Sequence, residues 1–254
     1  MKEIIKTYAE LHAEGRWDID YHLPPEGIKD YPEDILIPVS DIADISKSKK
    51  DPTLQPDVAF QYVDISSVDV YLGYICNPTE LTGEEAPSRA RKLIKAFNVI
   101  ASTCRPTRGA IAVVPPALHG EICSTGFSVL ECMEGVNPYY LHFVLRLPST
   151  LEQFRKFSTG SSYPAILDSD IMKTLVPYVD VDEQDAIAAA MVSGYRHYDA
   201  IVTKARAEYI GLVDNADNLI KGATEVVELT ENGLEAATDA TLASIKATIS
   251  ELAS

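Results

Sequence analysis

The chain has 254 residues, 46% of them hydrophobic and 24% charged, with a formal net charge of −16. That fits one large domain or a domain with an appendage. No apolar run approaches the roughly 20 residues a bilayer span needs, and the acidic balance opposes nonspecific nucleic-acid binding.

The start, Met1 to Trp17, carries charges throughout and does not read as a signal peptide. Its Ile4, Ile5, Tyr8 and Leu11 recur at helical spacing and predict a short helix over 2–14, which Gly15 ends. Pro, Gly and Asp mark 23–34 as a loop. From Ile35 to about Tyr178 short β-type runs alternate with turns: Ile35–Val39, Phe60–Ile65, Val99–Ser102, Ala110–Val114 and Phe127–Cys132. Ser40 caps a short predicted helix over Asp41–Ile45. Pro138–Leu147 reads as a helix with proline in its first turn, and Leu151–Phe157 as another. Ser158–Tyr163 is a small-residue loop, Ser169–Thr174 one helical turn and Leu175–Val179 a strand. The mixture predicts an α+β domain over 1–180, built on an irregular, mainly antiparallel sheet.

Glu183–Lys221 contains no proline, and apolar or small residues follow one another at steps of three or four: Ile187, Met191, Gly194, Tyr198, Val202, Ala205, Tyr209, Leu212, Ala216 and Leu219. This near-heptad seam predicts a coiled-coil-type spacer and dimerisation helix over 181–222, ~57 Å long at 1.5 Å per residue. Its seam needs a cover, either a partner helix or its own domain. Residues 223–254 form an acidic tail, with Leu242, Ile245, Ile249 and Leu252 again at helical spacing.

Cys76, Cys104, Cys123 and Cys132 include no CxxC pair, and the five histidines fall at no metal-ligand spacing. Reduced thiols in a cytoplasmic protein without metal or cofactor are the expectation. Asn137-Pro138-Tyr139-Tyr140 approaches the N-P-P-Y motif of amino-methyltransferases, but the second proline and a glycine-rich cofactor turn are missing. Ser46 and Lys49 satisfy S-x-x-K without the companion motifs of serine acyl enzymes. Asp168 and Asp170, like Glu84 and Glu85, suit solvated or capping positions. Nothing assembles nucleophile, base and orienter, so no enzyme is expected.

One segment stands apart. Pro87–Arg108 carries six of the 22 basic residues, namely Arg89, Arg91, Lys92, Lys95, Arg105 and Arg108. Arginine forks match phosphate oxygens and guanine edges. A basic island on an acidic chain either meets an anionic partner there or pairs with carboxylates of its own fold.

A set of ordered motifs resembles the target-recognition domain of type I restriction–modification specificity subunits (HsdS). They are Pro38–Ala43 with Ile45-Ser46-Lys47, Tyr62–Asp69, Gly73 and Ile75, and Pro87–Lys92. Ser102-Thr103 followed by Arg105-Pro106 and Arg108–Ala112 corresponds to the family's S-T-x-R-P segment. Cys123–Leu130, Pro138–Leu141, the Ser158–Ile166 loop and Glu183-Gln184 complete the match over roughly residues 17–215. Where the family has a Gly-Asp turn, this chain has Phe97-Asn98.

The resemblance implies a non-catalytic subunit that reads half of a split double-stranded DNA target and docks methyltransferase subunits and a restriction subunit. Family members carry two recognition domains and two helices. This half-size chain, with one of each, is expected to pair as a homodimer on a two-fold axis. Arg89, Arg91, Lys92, Arg105 and Arg108 are then candidates for phosphate and guanine contact. Ser102, Thr103, Ser161 and Ser162 are candidate donors to the DNA, and Tyr163 a stacking or loop-positioning residue. Ile187, Met191, Tyr198, Val202, Tyr209 and Leu212 are the dimer-helix candidates. The alternative is an interaction protein of the same fold, an inhibitor or decoy that does not read DNA.

Overall fold

The structure, a computed structural model, describes residues 4–160 and 162–220, without the side chains of residues 14, 215 and 218–220. Ser161 and the tail 223–254 lie outside the described residues. The N-terminal compact unit runs to Tyr195 and a second begins at Arg196.

The first helix, α1 (Tyr8–Glu14), is shorter than its periodicity predicts because Thr7 caps it. The Thr7 hydroxyl accepts from the Glu10 amide, Glu10 accepts from the Thr7 amide, and left-handed Gly15 closes the other end. After α2 (Ile19–His22) come β1 (Leu36–Pro38), β2 (Ala43–Ile45), β3 (Ala59–Val63), β4 (Val68–Asp69) and β5 (Tyr74–Ile75). Then follow β6 (Thr79–Thr82), β7 (Ala90–Leu93), β8 (Val99–Ser102), β9 (Ile111–Val113), β10 (Ile122–Ser124) and β11 (Phe127–Cys132). Helices α3 (Pro138–Leu145), α4 (Pro148–Phe157) and α5 (Asp168–Met172), strand β12 (Leu175–Pro177) and helix α6 (Val181–Ile220) complete the order.

One four-stranded sheet runs β2-β11-β8-β9 and is antiparallel throughout. The other runs β6-β3-β10-β7, with β3 and β10 parallel. Two short antiparallel pairs, β1-β12 and β4-β5, complete the strands. The predicted α+β class with a mainly antiparallel sheet is what the chain forms. Strand β8 explains why Val99–Ser102 is buried at every position. Val99 and Ala101 join the cluster containing Tyr140, Leu145 and Phe154 of the helices, while Ile100 joins Val63, Ile94 and Phe127 on the opposite face. Period-two alternation therefore lands in apolar surroundings on both sides, and each such large side chain contributes about 1.5–3 kcal/mol.

The predicted helix over Asp41–Ile45 is corrected. A 3-10 turn, Val39–Asp41, leads into β2, whose Ala43 and Ile45 pair with Cys132 and Leu130 of β11. A ladder partner in the core outweighs the capping signal of Ser40. Asn137-Pro138-Tyr139-Tyr140 is a helix start: the Asn137 side chain accepts from the Tyr139 amide, and the Tyr140 hydroxyl donates to the Pro177 carbonyl at 2.8 Å.

Helix α6 begins where the sequence places a boundary, yet its first turns belong to the N-terminal unit. Buried Gln184 donates to the Val179 carbonyl at 2.8 Å and accepts from the Asn137 amide at 3.0 Å. Ile187, counted to the dimer seam from sequence, packs against the helical core cluster.

The β4-β5 connection is held from beneath by Arg146. Its Nη2 donates to the carbonyls of Val70 (2.8 Å) and Tyr71 (2.7 Å), and its Nη1 to Leu72 (3.0 Å) and the Tyr195 hydroxyl (3.3 Å). Gly73, with φ of 70°, lets this connection lie on the helix, since a Cβ there would run into the His142 ring and the Arg146 guanidinium. His142 Nε2 donates to the Ile111 carbonyl at 3.2 Å. Burial first, and the Arg146 charge second, push its pKa down from 6.5 to about 4. A folded pKa below the unfolded one means stability intact above pH 6.5 and lost as the pH falls toward 4. Between pH 7 and pH 5 the wild type should therefore lose about 2 kcal/mol more than His142→Gln, measured by urea denaturation. Equal losses would contradict a neutral buried imidazole.

Phe97 occupies the turn where the resemblance expects glycine, and it takes a left-handed φ of 67°. Asn98 supports the turn: its side-chain oxygen accepts from the Lys95 amide at 2.9 Å, and its own amide donates to the Lys95 carbonyl at 3.0 Å. Left-handed backbone is unfavourable for a residue with a Cβ and free for glycine. Phe97→Gly should exceed Phe97→Ala in stability by about 1 kcal/mol in chemical denaturation; equal stability would show that the turn stores no strain.

Candidate nucleic-acid interface

The basic island divides into two groups of three. Strand β7 carries two residues of the first group. Arg91 Nη1 donates to the Ala90 carbonyl at 2.8 Å and lies 3.7 Å from Asp51 Oδ1. Lys92 Nζ donates to the Phe127 carbonyl at 2.7 Å and faces Asp168 at 3.7 Å. Lys95 Nζ sits 3.1 Å from Glu131 Oε1. That contact, with a hydrogen bond from Ser46, holds the Glu131 carboxyl below its usual range. These three cations are engaged within the fold.

Arg89, Arg105 and Arg108 differ. Among the described residues none of the three has a carboxylate partner. All three line one cleft of about 600 Å³, together with Tyr163 and an apolar set that includes Ile65, Val68, Val70 and Ala110. Among the described residues no acidic one lines it. The nearby acids are turned to other work: Asp64 accepts from Ser66 and Ser67, and Asp69 from the amides of Tyr71 and Leu72.

The turn after β8 aims two of these guanidinium groups. The Thr103 amide and hydroxyl both donate to the Gly126 carbonyl, at 2.8 and 3.0 Å. Arg105 donates from its amide to the Pro164 carbonyl at 2.7 Å and adopts a left-handed φ of 49°. Strain of this kind costs on the order of 1–3 kcal/mol and persists where the surroundings overdetermine it. A 3-10 turn, Pro106–Arg108, and left-handed Gly109 return the chain to β9. Ser102, named from sequence as a candidate donor to DNA, is buried, and its hydroxyl donates to the Cys104 carbonyl at 2.7 Å. Thr103 likewise spends its hydroxyl on the backbone.

Opposite this turn, the Thr159–Ala165 pair closes a small loop with reciprocal hydrogen bonds of 2.9 and 3.0 Å. Its tip holds exposed Ser162 and Tyr163, the latter 77% exposed. The Arg105 guanidinium lies 4.8 Å from the Tyr163 ring centroid, a cation–π contact that joins the loop to the turn. Sequence reasoning missed Arg146, which fixes the carbonyl of Val70 and so one wall of the cleft. An arginine ending an apolar helix carries no signal that its partners lie more than 70 residues earlier.

The second unit, taken by itself, presents an apolar stripe. Along Arg196–Ile220 the side chains of Tyr198, Ile201, Tyr209, Leu212 and Val213 are exposed, and Val202 is half-buried. Met191, in the first unit, is half-buried. Among the described residues no helix is long and apolar enough to cross a membrane.

No protein-family model matches the chain, and no curated protein does. Solved structures do. The chain is similar to the HsdS subunit from Thermoanaerobacter tengcongensis, with 33% identity over 76% of this chain and 51% of that one, at a TM-score of 0.58. A structure described as the basis of complex assembly and conformational transition of the type I R-M system matches at 32% identity, over 77% of this chain and 51% of that one, with the same TM-score of 0.58. The S subunit of the type I restriction–modification system from M. genitalium shares the fold at 14% identity, with a TM-score of 0.52 over 80% of this chain and 50% of that one. The chain spans about half the length of the subunits it matches. Its structural relatives are HsdS specificity subunits of type I restriction–modification systems, matched in fold over about three-quarters of its length.

Proposed function

We propose that this chain is a non-catalytic DNA-recognition subunit of a cytoplasmic type I restriction–modification system. It reads half of a split double-stranded target and docks methyltransferase subunits, with a restriction subunit as a further partner. The observation that carries this reading is the cleft: on a chain of net charge −16, three arginines share one concavity with no acidic residue in its lining and no carboxylate partner among the described residues. Unpaired guanidinium groups gathered together repel one another, and an anion relieves that repulsion. The likeness to specificity subunits selects DNA as the anion.

The pairing of Arg91, Lys92 and Lys95 with acids supports the competing reading of an inhibitor or decoy, but it leaves the cleft unexplained. The acidic remainder of the chain limits what it can bind unaided, so the methyltransferase subunits supply most phosphate contacts. In a filter-binding titration the isolated chain should bind duplex feebly, and the complex with its methyltransferase partner tightly. Tight, sequence-indifferent binding by the chain alone would contradict this assignment.

Reading both halves of a split target takes two recognition domains, and a second copy of this chain is the proposed source of the other. The stripe on α6 is the proposed pairing surface, and two identical readers on a two-fold axis recognise an interrupted palindrome. Val202→Asp combined with Tyr209→Asp should give monomers by light scattering. A dimer that survives the double change would place the pairing elsewhere.

A further inference from the structure

We infer that the Arg89–Arg105–Arg108 cleft seats the sugar–phosphate backbone of the DNA and is blind to its sequence, while the loop tip carrying Ser162 and Tyr163 is what enters a groove. This rests on the DNA-reading proposal above. Its motive is shape. Base edges lie at the floor of a groove several ångströms deep, so a side chain that reads them must stand proud of the protein. Phosphates form the convex ridge between grooves, and a ridge fits a concavity. The three arginines line a recess. Its lining also has an apolar part, with Ile65, Val68 and Val70, whose side chains suit the C–H faces of deoxyribose and offer no hydrogen bond to a base.

The projecting element is at its rim. Tyr163 is 77% exposed at the tip of a loop closed by the Thr159–Ala165 pair. Its ring meets the Arg105 guanidinium, so the backbone anchor sets the position of the reading tip. Arg105 is therefore a positioning residue as well as a phosphate ligand. Arg89 and Arg108, both exposed, contribute charge alone and form the cleaner test.

The test uses the complex with its methyltransferase partner, the duplex that this complex selects best from a random pool, and a scrambled duplex of equal length. Anisotropy titrations are run across a range of salt, with thermal melts to confirm folding. Arg89→Ala and Arg108→Ala should each weaken binding to both duplexes by the same factor, about tenfold, and each should lower the log–log salt slope by about 1. The selected-to-scrambled ratio should stay at the wild-type value. Arg108→Lys should recover part of the loss for both duplexes alike, since lysine binds phosphate as a point charge without the fork. Tyr163→Ala should shrink the ratio.

Loss of that ratio in Arg89→Ala or Arg108→Ala, with scrambled binding and salt slope intact, would show the cleft reading bases and overturn the inference. Unchanged affinity for both duplexes would place the cleft off the interface and overturn it equally. A wild-type complex that selects no duplex from the pool would instead sink the DNA-reading proposal itself.

Discussion

The turn that follows β8 is pinned from two directions, and the candidate site depends on that pinning. Thr103 is tied by amide and hydroxyl to Gly126, and Arg105 by its amide to Pro164. The strand that launches the turn is buried on both faces, so its end cannot shift without disturbing two apolar clusters. Arg105 accepts a left-handed backbone as a consequence, and its guanidinium is delivered to the cleft beside Tyr163. The other wall is held by the Arg146 clasp on residues 70–72, where Gly73 admits the close approach to His142. A rigid scaffold with short, anchored turns is the usual support for a recognition surface.

Charge is partitioned more finely than the net value suggests. On β7, Arg91 and Lys92 face acids and backbone carbonyls, and Lys95 neutralises Glu131. Three residues away from Lys92, Arg89 is left to the cleft with Arg105 and Arg108. Asp64 and Asp69, next in sequence to the lining residues Ile65, Val68 and Val70, are committed to capping local turns. Among the described residues, an acidic chain thus keeps a cationic concavity, which favours contact there over contact anywhere.

Strands made of plain apolar runs were legible in advance. Val99–Ser102 and Phe127–Cys132 have the bounds their composition predicts, because β-branched and aromatic residues between turn formers leave little competition. Strand β7 was hidden: Arg91 and Lys92 stand side by side between Ala90 and Leu93 and read as part of a basic island, when tertiary pairing with β10 and with residues 48–50 makes the segment a strand. The parallel β3-β10 pairing joins residues some 60 apart, a distance over which no local pattern speaks. The basic island was visible as charge, but which of its members were free could not be read, because partners such as Asp51, Glu131 and Asp168 come from remote segments. Ser102 and Thr103 looked like ligands for an anion for the same reason that they bond the backbone, since a hydroxyl serves either acceptor. The seam proposed for α6 is a periodicity, and periodicity does not say which turns the domain itself covers; Ile187 is covered there.

The central claim is that this half-length chain, doubled, decides which DNA sequence its complex modifies. Single-molecule mapping of methylated bases in the host genome, with and without the gene, tests it most directly. The account predicts one methylated motif that vanishes on deletion and is an interrupted palindrome. A methylation pattern untouched by deletion, or a lost motif whose two halves differ, would contradict it.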